Sequence, residues 1–307
     1  MKKPVPALLE DWSEWETLPL KIAPKVLSLI LDDGQAFRWH RLEDETWLGF
    51  WADQAVRLRQ TPEDSLQWSG PRGRQAESRA ALNDYLALDV PWPAHTDALP
   101  WRSDAHLQAC LAAMPGLRLL RQPLGESLLC FLCSATKQIP QICEMAESMA
   151  RELGSPLPWL TTADTRRRGS LSFHQLPTWE QLADSSENVL RGCALGFRAA
   201  NVHKTALFLS QHPGWLAETA ALPYEQAHTR LCELPGVGPK IADCVLLYSG
   251  TRLVAFPVDT WILKSMERHY ALDGWSPLQI AHFGRRHFGP QAGFAQQFLF
   301  NFERLQR

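Results

Sequence analysis

Nowhere does this 307-residue chain carry a run approaching the ~20 apolar residues that a membrane-spanning helix needs. A helical membrane protein is therefore excluded. The opening residues, MKKPVPALLEDW, hold two lysines with no apolar stretch behind them, so a secretory leader is not expected. None of the ten histidines falls at HExxH or another metal-ligand spacing, and no metal site is expected. Internal repeats and low-complexity tracts are absent too, which sets aside solenoids and disordered scaffolds. Cysteine is odd in number, at positions 110, 130, 133, 143, 193, 232 and 244, and none follows Cys244. That usage fits free thiols in a reducing, intracellular compartment. Cys130 and Cys133 lie in the apolar run LLCFLCSA and read as buried thiols. An excess of positive charge is also lacking, since the net charge is −2. Residues 1–100 hold 11 Lys and Arg against 16 Asp and Glu, and residues 101–307 hold 20 against 17. The C-terminal part is thus mildly basic, enough for a local phosphate footprint but not for coating a nucleic acid.

What is present is ample core material, 45% hydrophobic residues. The first hundred residues read as β-rich, with period-two alternation in TWLGFWAD and AVRLRQT. Trp12, Trp15, Trp39, Trp47, Trp51 and Trp68 load this part with rings expected to pack in its core. The proline-rich LDVPWPAHTDALPW marks a boundary or a wrapped linker. From about Asp104 the pattern turns helical. SLLCFLCSATKQIPQICEMAESMARELG reads as a long helical run broken near Pro140. A patternless stretch carrying three arginines at 166–168 reads as a solvated loop. Helices are then expected at 178–195, 199–211, 224–234, 240–249, 259–270 and 276–305, the last with a glycine break near 289. The chain divides on this reading into a β-rich part, 1–103, and a helical part, 104–307, giving an α+β fold.

The densest chemistry lies in LPGVGPKIADCVLLYSGTRLVAFPVD, from Leu234 to Asp259. Gly236 and Gly238, around Val237, allow a tight hairpin whose N–H groups can face a phosphate. Pro239 suits the first position of a helix, where its missing N–H costs nothing. Lys240 then sits in the first turn, where the helix dipole disfavours a cation by roughly 0.3–1 kcal/mol. Asp259 follows an apolar run and precedes TWILKSMERHY, the place of an N-cap. If that cap folds back over the first helix, a carboxylate meets a lysine amine.

This segment resembles the helix-hairpin-helix DNA glycosylases, in particular those with a lysine after the hairpin, and places the motif at 225–249. GQAFRW at 34–39, LRLLRQPLGESLLCFLCS at 117–134, LGFRAANV at 195–202 and AGFAQQFLF at 292–300 are similar to stretches of the 8-oxoguanine DNA glycosylases. The resemblance covers most of the chain. It implies an N-terminal antiparallel β-sheet domain packed on a two-lobed helical domain. It also implies a monomer acting on double-stranded DNA that contains oxidised guanine, with no membrane and no cofactor. Some relatives bind an iron–sulfur cluster beyond the catalytic helix, for which the cysteines are missing here.

By the same resemblance Lys240 attacks C1′ of the damaged nucleotide and Asp259 assists, while Gly236, Val237 and Gly238 hold a DNA phosphate. The carbonyl of Gly34 would accept from N7–H, which 8-oxoguanine has and guanine lacks. Such a buried polar mismatch is worth several kcal/mol. Gln296 would read the Watson–Crick edge, with Phe300 and Cys244 on the two faces of the base. The chain departs from the family around the partner strand. Thr136 stands at an asparagine position and Gln141 at an arginine position, both of which serve the orphaned cytosine. Arg198 matches a second cytosine-reading arginine, Phe197 replaces a tyrosine wedge, and Trp261 replaces a histidine near a phosphate. Two rivals accompany this reading. One is the same fold on another lesion, against which Lys240 argues; the other is a damage-binding module without turnover.

Overall fold

Alternating apolar residues in the first seventy positions build one antiparallel sheet of strands β1 (Glu16–Lys21), β2 (Trp39–Arg41), β3 (Trp47–Trp51), β4 (Gln54–Gln60) and β5 (Ser65–Ser69), in the order β1-β5-β4-β3-β2. The computed structural model describes residues 12–157, 159, 173–250 and 252–306. The three arginines at 166–168, and the loop reading given to them, lie outside the described residues, as do positions 1–11. Strands β3 and β4 pair from Trp47 opposite Leu58 to Trp51 opposite Gln54, so Ala52 and Asp53 alone make the turn. Ala52 has φ +45°, as a tight hairpin turn requires. Its N–H donates to Glu126 Oε1 at 2.7 Å, tying the hairpin to the helical part. Trp39, Trp47, Trp51 and Trp68 are buried as expected, whereas Trp12 and Trp15 are half-buried.

The β-rich reading of the first hundred residues needs correction. Three helices lie there, α1 (Pro24–Leu31), α2 (Gln75–Tyr85) and α3 (Trp92–Ala98). The proline-rich stretch read as boundary or linker contains α3, because a proline within the first turn of a helix breaks no hydrogen bond. Helix α1 is short and buries five of its eight residues, Val26, Leu27, Leu29, Ile30 and Leu31. A short, nearly all-apolar run gives no clear helical period.

The helical part continues with α4 (Ala105–Ala113), α5 (Leu124–Leu132), α6 (Ile139–Leu153), α7 (Trp179–Asp184), α8 (Glu187–Leu190), α9 (Arg198–Gln211), α10 (Trp215–Ala221), α11 (Tyr224–Leu231), α12 (Pro239–Gly250), α13 (Thr260–Tyr270), α14 (Pro277–His287) and α15 (Ala292–Leu305). The expected break near Pro140 falls before it. The chain leaves α5 through Thr136, at φ +55°, and Pro140 sits in the first turn of α6. The single helix expected over 178–195 is instead α7, α8 and a wide turn at Arg191–Leu195, with Ala194 at φ +63°. The glycine break near 289 is a short 3₁₀ turn, Gly289–Gln291. No helix among the described residues is long and apolar enough to cross a membrane.

Two lobes result. Helix α5 packs on α12, and α12 on α11, in one lobe; α15 packs on α4, α13 and α14 in the other. The sheet joins through buried charge: Arg38 Nε and His40 Nε2 both meet Glu147 Oε1 of α6, at 3.0 and 3.1 Å. Burial alone would raise the Glu147 carboxyl, but the Arg38 guanidinium and the His40 ring hold it far below the usual range. Phe131 of α5 links the parts, edge-on to Phe37 at 5.3 Å and stacked on Tyr248 of α12 at 5.6 Å.

Candidate active site

The hairpin between α11 and α12 is closed by Leu234 N donating to the Leu231 carbonyl and Val237 N to that of Leu234. Its backbone needs glycine at 236, where φ is +82° and an added Cβ would lie 2.6 Å from Asn201 Nδ2. Helix α9 forms the shelf beneath it: Asn201 abuts Gly236, and Thr205 Oγ1 donates to the Pro235 carbonyl at 3.1 Å. Among the described residues, the N–H groups of Gly236 and Gly238 donate to no protein acceptor. They are left for an anion at the N-terminus of α12. Gly236→Ala should cost about 1–2 kcal/mol for the left-handed backbone alone, with further loss from pushing Asn201 away. Denaturant melts and duplex-binding isotherms check this, both being expected to weaken.

Lys240 occupies the first turn of α12, half-buried, with Nζ 5.5 Å from the Phe131 ring centroid. One turn along the same helix Cys244 is 4% exposed. Burial pushes its thiol up to about 11, opposed by the charge of Lys240 and a hydrogen bond with it. Asp259 caps α13 as its position implied, with Oδ1 accepting from Trp261 N at 3.0 Å and Ile262 N at 2.9 Å. Both cap bonds use one oxygen, leaving Oδ2 outside the cap. Burial raises the Asp259 carboxyl, and the Ile262 N–H, the Lys240 charge, the Trp261 N–H and the Arg304 charge pull it back without overcoming burial. The fold thus brings Lys240, Cys244 and Asp259 into one electrostatic neighbourhood.

Helix α15 carries the next group of residues and meets α12 where Tyr248 Oη donates to Gln297 Oε1 at 2.6 Å. Gln296 is 3% exposed, and its Oε1 has no hydrogen-bond partner among the described residues. A buried carbonyl oxygen left unpaired costs about 1–3 kcal/mol, which a donor on a ligand would recover. Phe300 lies one turn on, and Gly34 faces it: a Cβ on Gly34 would be 3.8 Å from Phe300 Cζ and 3.1 Å from Ile139 Cδ1. Gly34 has φ +97°, so glycine is demanded by the backbone as well as by the crowding. The loop is pinned by Gln35, fully buried, which donates to the Arg118 carbonyl and accepts from Leu120 N, both at 3.0 Å.

The residues read as facing the partner strand form a separate group. Phe197 is 59% exposed, with Arg198 Cζ 4.2 Å from its ring centroid. Arg198 is buried, and its guanidinium donates to the Ala135 carbonyl at 2.8 Å, the Leu195 carbonyl at 3.3 Å and Thr136 Oγ1 at 2.8 Å. Exposed Gln141 turns its Oε1 back to accept from Gln138 N at 3.1 Å, closing a capping box at the start of α6.

Sequence reasoning missed three contributors, Asn201 and Thr205 under the hairpin and the Asp33–Arg304 pair beside Phe300. The first two looked like ordinary helix residues, and nothing in their spacing ties them to a turn some thirty positions on. An open groove of about 480 Å³ between α10 and α11, lined by Trp215, Glu225, Arg230 and Glu233 among others, lies apart from this site.

A glycine hairpin with unpaired amides, a lysine on the following helix and a capping aspartate define a helix-hairpin-helix site, and the chain as a whole is similar to known proteins. Residues 17–128 match the 8-oxoguanine DNA glycosylase N-terminal domain family. The chain is 30% identical over 221 residues to a probable N-glycosylase/DNA lyase of Methanothermobacter thermautotrophicus, covering 68% of this chain and 70% of that protein. It is 29% identical over 304 residues to the N-glycosylase/DNA lyase OGG1 of Arabidopsis thaliana, covering 94% and 80%. The 8-oxoguanine glycosylase/lyase of Clostridium acetobutylicum, solved with double-stranded DNA containing cytosine opposite 8-oxoguanine, superposes with a TM-score of 0.83 at 28% identity, covering 97% and 99% of the two chains. The chain belongs to the 8-oxoguanine DNA glycosylase/lyase family of the helix-hairpin-helix superfamily.

Proposed function

We propose that this protein excises 8-oxoguanine from double-stranded DNA and then cleaves the strand at the resulting site, with Lys240 as nucleophile. The observation that carries the reading is the amine of Lys240 and the raised carboxyl of Asp259 in one electrostatic neighbourhood, with free hairpin amides at the start of the lysine's helix. The amides take a phosphate, and the lesion is turned out of the duplex into the cleft. The Gly34 carbonyl accepts from N7–H, Gln296 Oε1 accepts from the Watson–Crick edge, and Phe300 and Cys244 cover the two faces. As the C1′–N9 bond breaks, its electron pair leaves with the base, and the ionised Asp259 stabilises the cationic sugar. The free amine of Lys240 bonds to C1′; the proton it then sheds passes to O4′ as the C1′–O4′ bond breaks, which opens the sugar ring to a protonated Schiff base. Loss of a C2′ proton then expels the 3′ phosphate. One chain supplies every group in this sequence, so the reading is of a monomer working wherever the cell keeps its DNA.

Borohydride reduction tests it. A protein–DNA adduct should accumulate on duplexes containing 8-oxoguanine and not on undamaged duplexes. Excision without any adduct would overturn the lysine mechanism, and binding without excision would leave a damage-recognition module.

Opposite-base choice is expected to be loose. Arg198 is committed to Ala135, Leu195 and Thr136, and Gln141 to its capping box. A cytosine opposite the lesion therefore meets no free arginine fork from these positions, and one good bidentate contact is worth about 1–3 kcal/mol of discrimination. Single-turnover rates on four duplexes should stay within about a hundredfold of that opposite cytosine, roughly 2.7 kcal/mol. A larger cytosine preference would mean that other residues read the partner strand.

A further inference from the structure

Arg304, near the end of α15, has no part in the excision steps above, yet it reaches Asp33, Phe300 and Trp261. Its Nε donates to Asp33 Oδ2 at 3.1 Å and its Nη2 to Asp33 Oδ1, a two-pronged pair across 271 positions of sequence. Its Cζ lies 5.3 Å from the Phe300 ring centroid and 5.7 Å from that of Trp261. Asp33 immediately precedes Gly34, the residue whose carbonyl is assigned to N7–H. Phe300 is the ring assigned to one face of the base. The pair is mostly shielded, with side-chain exposures of 30% for Arg304 and 16% for Asp33. Two parallel hydrogen bonds from a planar guanidinium fix orientation as well as distance. Both rings lie within cation–π range of its charge.

We propose that Arg304 is a positioning residue for base selection, holding the Asp33–Gly34 loop and the Phe300 ring at one fixed separation through its pair with Asp33. The proposal rests on the excision reading above and deepens it. The carbonyl of Gly34 distinguishes the damaged base only if it stands within hydrogen-bond reach of N7–H while the ring fixes the height of the base. Gln35 pins the loop just after Gly34 and the Arg304 pair pins it just before, and a drift of even an ångström at Gly34 would lose much of that bond. Burial raises the Asp33 carboxyl, and the charge and hydrogen bond of Arg304 oppose this without overcoming it. The charge of Arg304 reaches Asp259 as well, and the test must separate that route from positioning.

The test compares two substrates. A duplex with a preformed abasic site needs Lys240, Asp259 and the hairpin but places no base in the pocket; a duplex with 8-oxoguanine needs both. Arg304→Gln and, independently, Asp33→Asn should each lower single-turnover excision of 8-oxoguanine by tenfold or more while leaving cleavage at the abasic site within threefold. Arg304→Lys, which keeps the charge but not the fork, should fall with Arg304→Gln. Equal losses on both substrates would overturn the proposal, by showing that Arg304 acts through Asp259 or through folding. Unchanged excision in Arg304→Gln would overturn it too, as would full activity in Arg304→Lys. Failure of the wild-type protein to excise 8-oxoguanine would instead sink the excision reading itself, so the two are distinguishable.

Discussion

Lys240→Gln should abolish covalent trapping on DNA altogether, while duplex binding stays within a few-fold of wild type. The amide of glutamine is not a nucleophile, so neither the bond to C1′ nor the Schiff base can form. On the proposed reading affinity comes from elsewhere, chiefly from the unpaired amides of Gly236 and Gly238 and from the base-binding residues of α15. Glutamine is also a good helix former of similar reach, so the first turn of α12 should be preserved. Borohydride trapping and fluorescence anisotropy on the same duplex check both halves. Trapping that persists undiminished would show that another amine of the chain attacks the sugar.

Asp259→Asn should slow excision by about 10²–10³-fold, the usual worth of a preorganised electrostatic stabiliser. Folding should survive, because asparagine caps a helix about as well as aspartate and can accept the same two N–H groups. The sign of the pH effect follows from the raised carboxyl. In the folded protein the group binds its proton more tightly than in the unfolded chain. Its contribution to stability is therefore present below the unfolded value, about 3.9, and is lost as pH rises through the folded value. At neutral pH the ionised Asp259 strains the fold, and Asp259→Asn should melt no lower than wild type. Activity runs the other way, since the ionised form does the work: the acid limb of single-turnover excision should lie above the ordinary carboxylate range and vanish in the variant. Near-normal turnover in a folded Asp259→Asn would reduce this residue to a cap.

The two substitutions also separate the parts of the site by the distance over which the sequence encodes them. Lys240 and Cys244, like Gln296 and Phe300, are one helical turn apart, so their sharing a wall is written into a four-residue spacing. The misread segments were those where two local signals competed. Proline at 91 and 93 resembled a linker but opened a helix, and Pro140 resembled a break but sat in a first turn. In both places a proline is compatible with either outcome, and packing made the choice.

By itself, then, the sequence determined the tight turn at Gly236–Gly238, the helix start at Pro239, the cap at Asp259 and the facing of each pocket pair, because backbone conformation and capping depend on neighbours within about one turn. It also carried the family likeness, through residues whose chemistry is local to their motifs. Only the tertiary structure decided that Asn201 and Thr205 of α9 would support the hairpin, that Arg38 and His40 would find Glu147, that Arg304 would reach back to Asp33, and that Arg198 would be spent on Ala135 and Thr136. Closing chain segments of 30 to 271 residues leaves no periodic trace, since such pairings are selected by burial and complementary charge in the assembled core rather than by any preference of the local backbone.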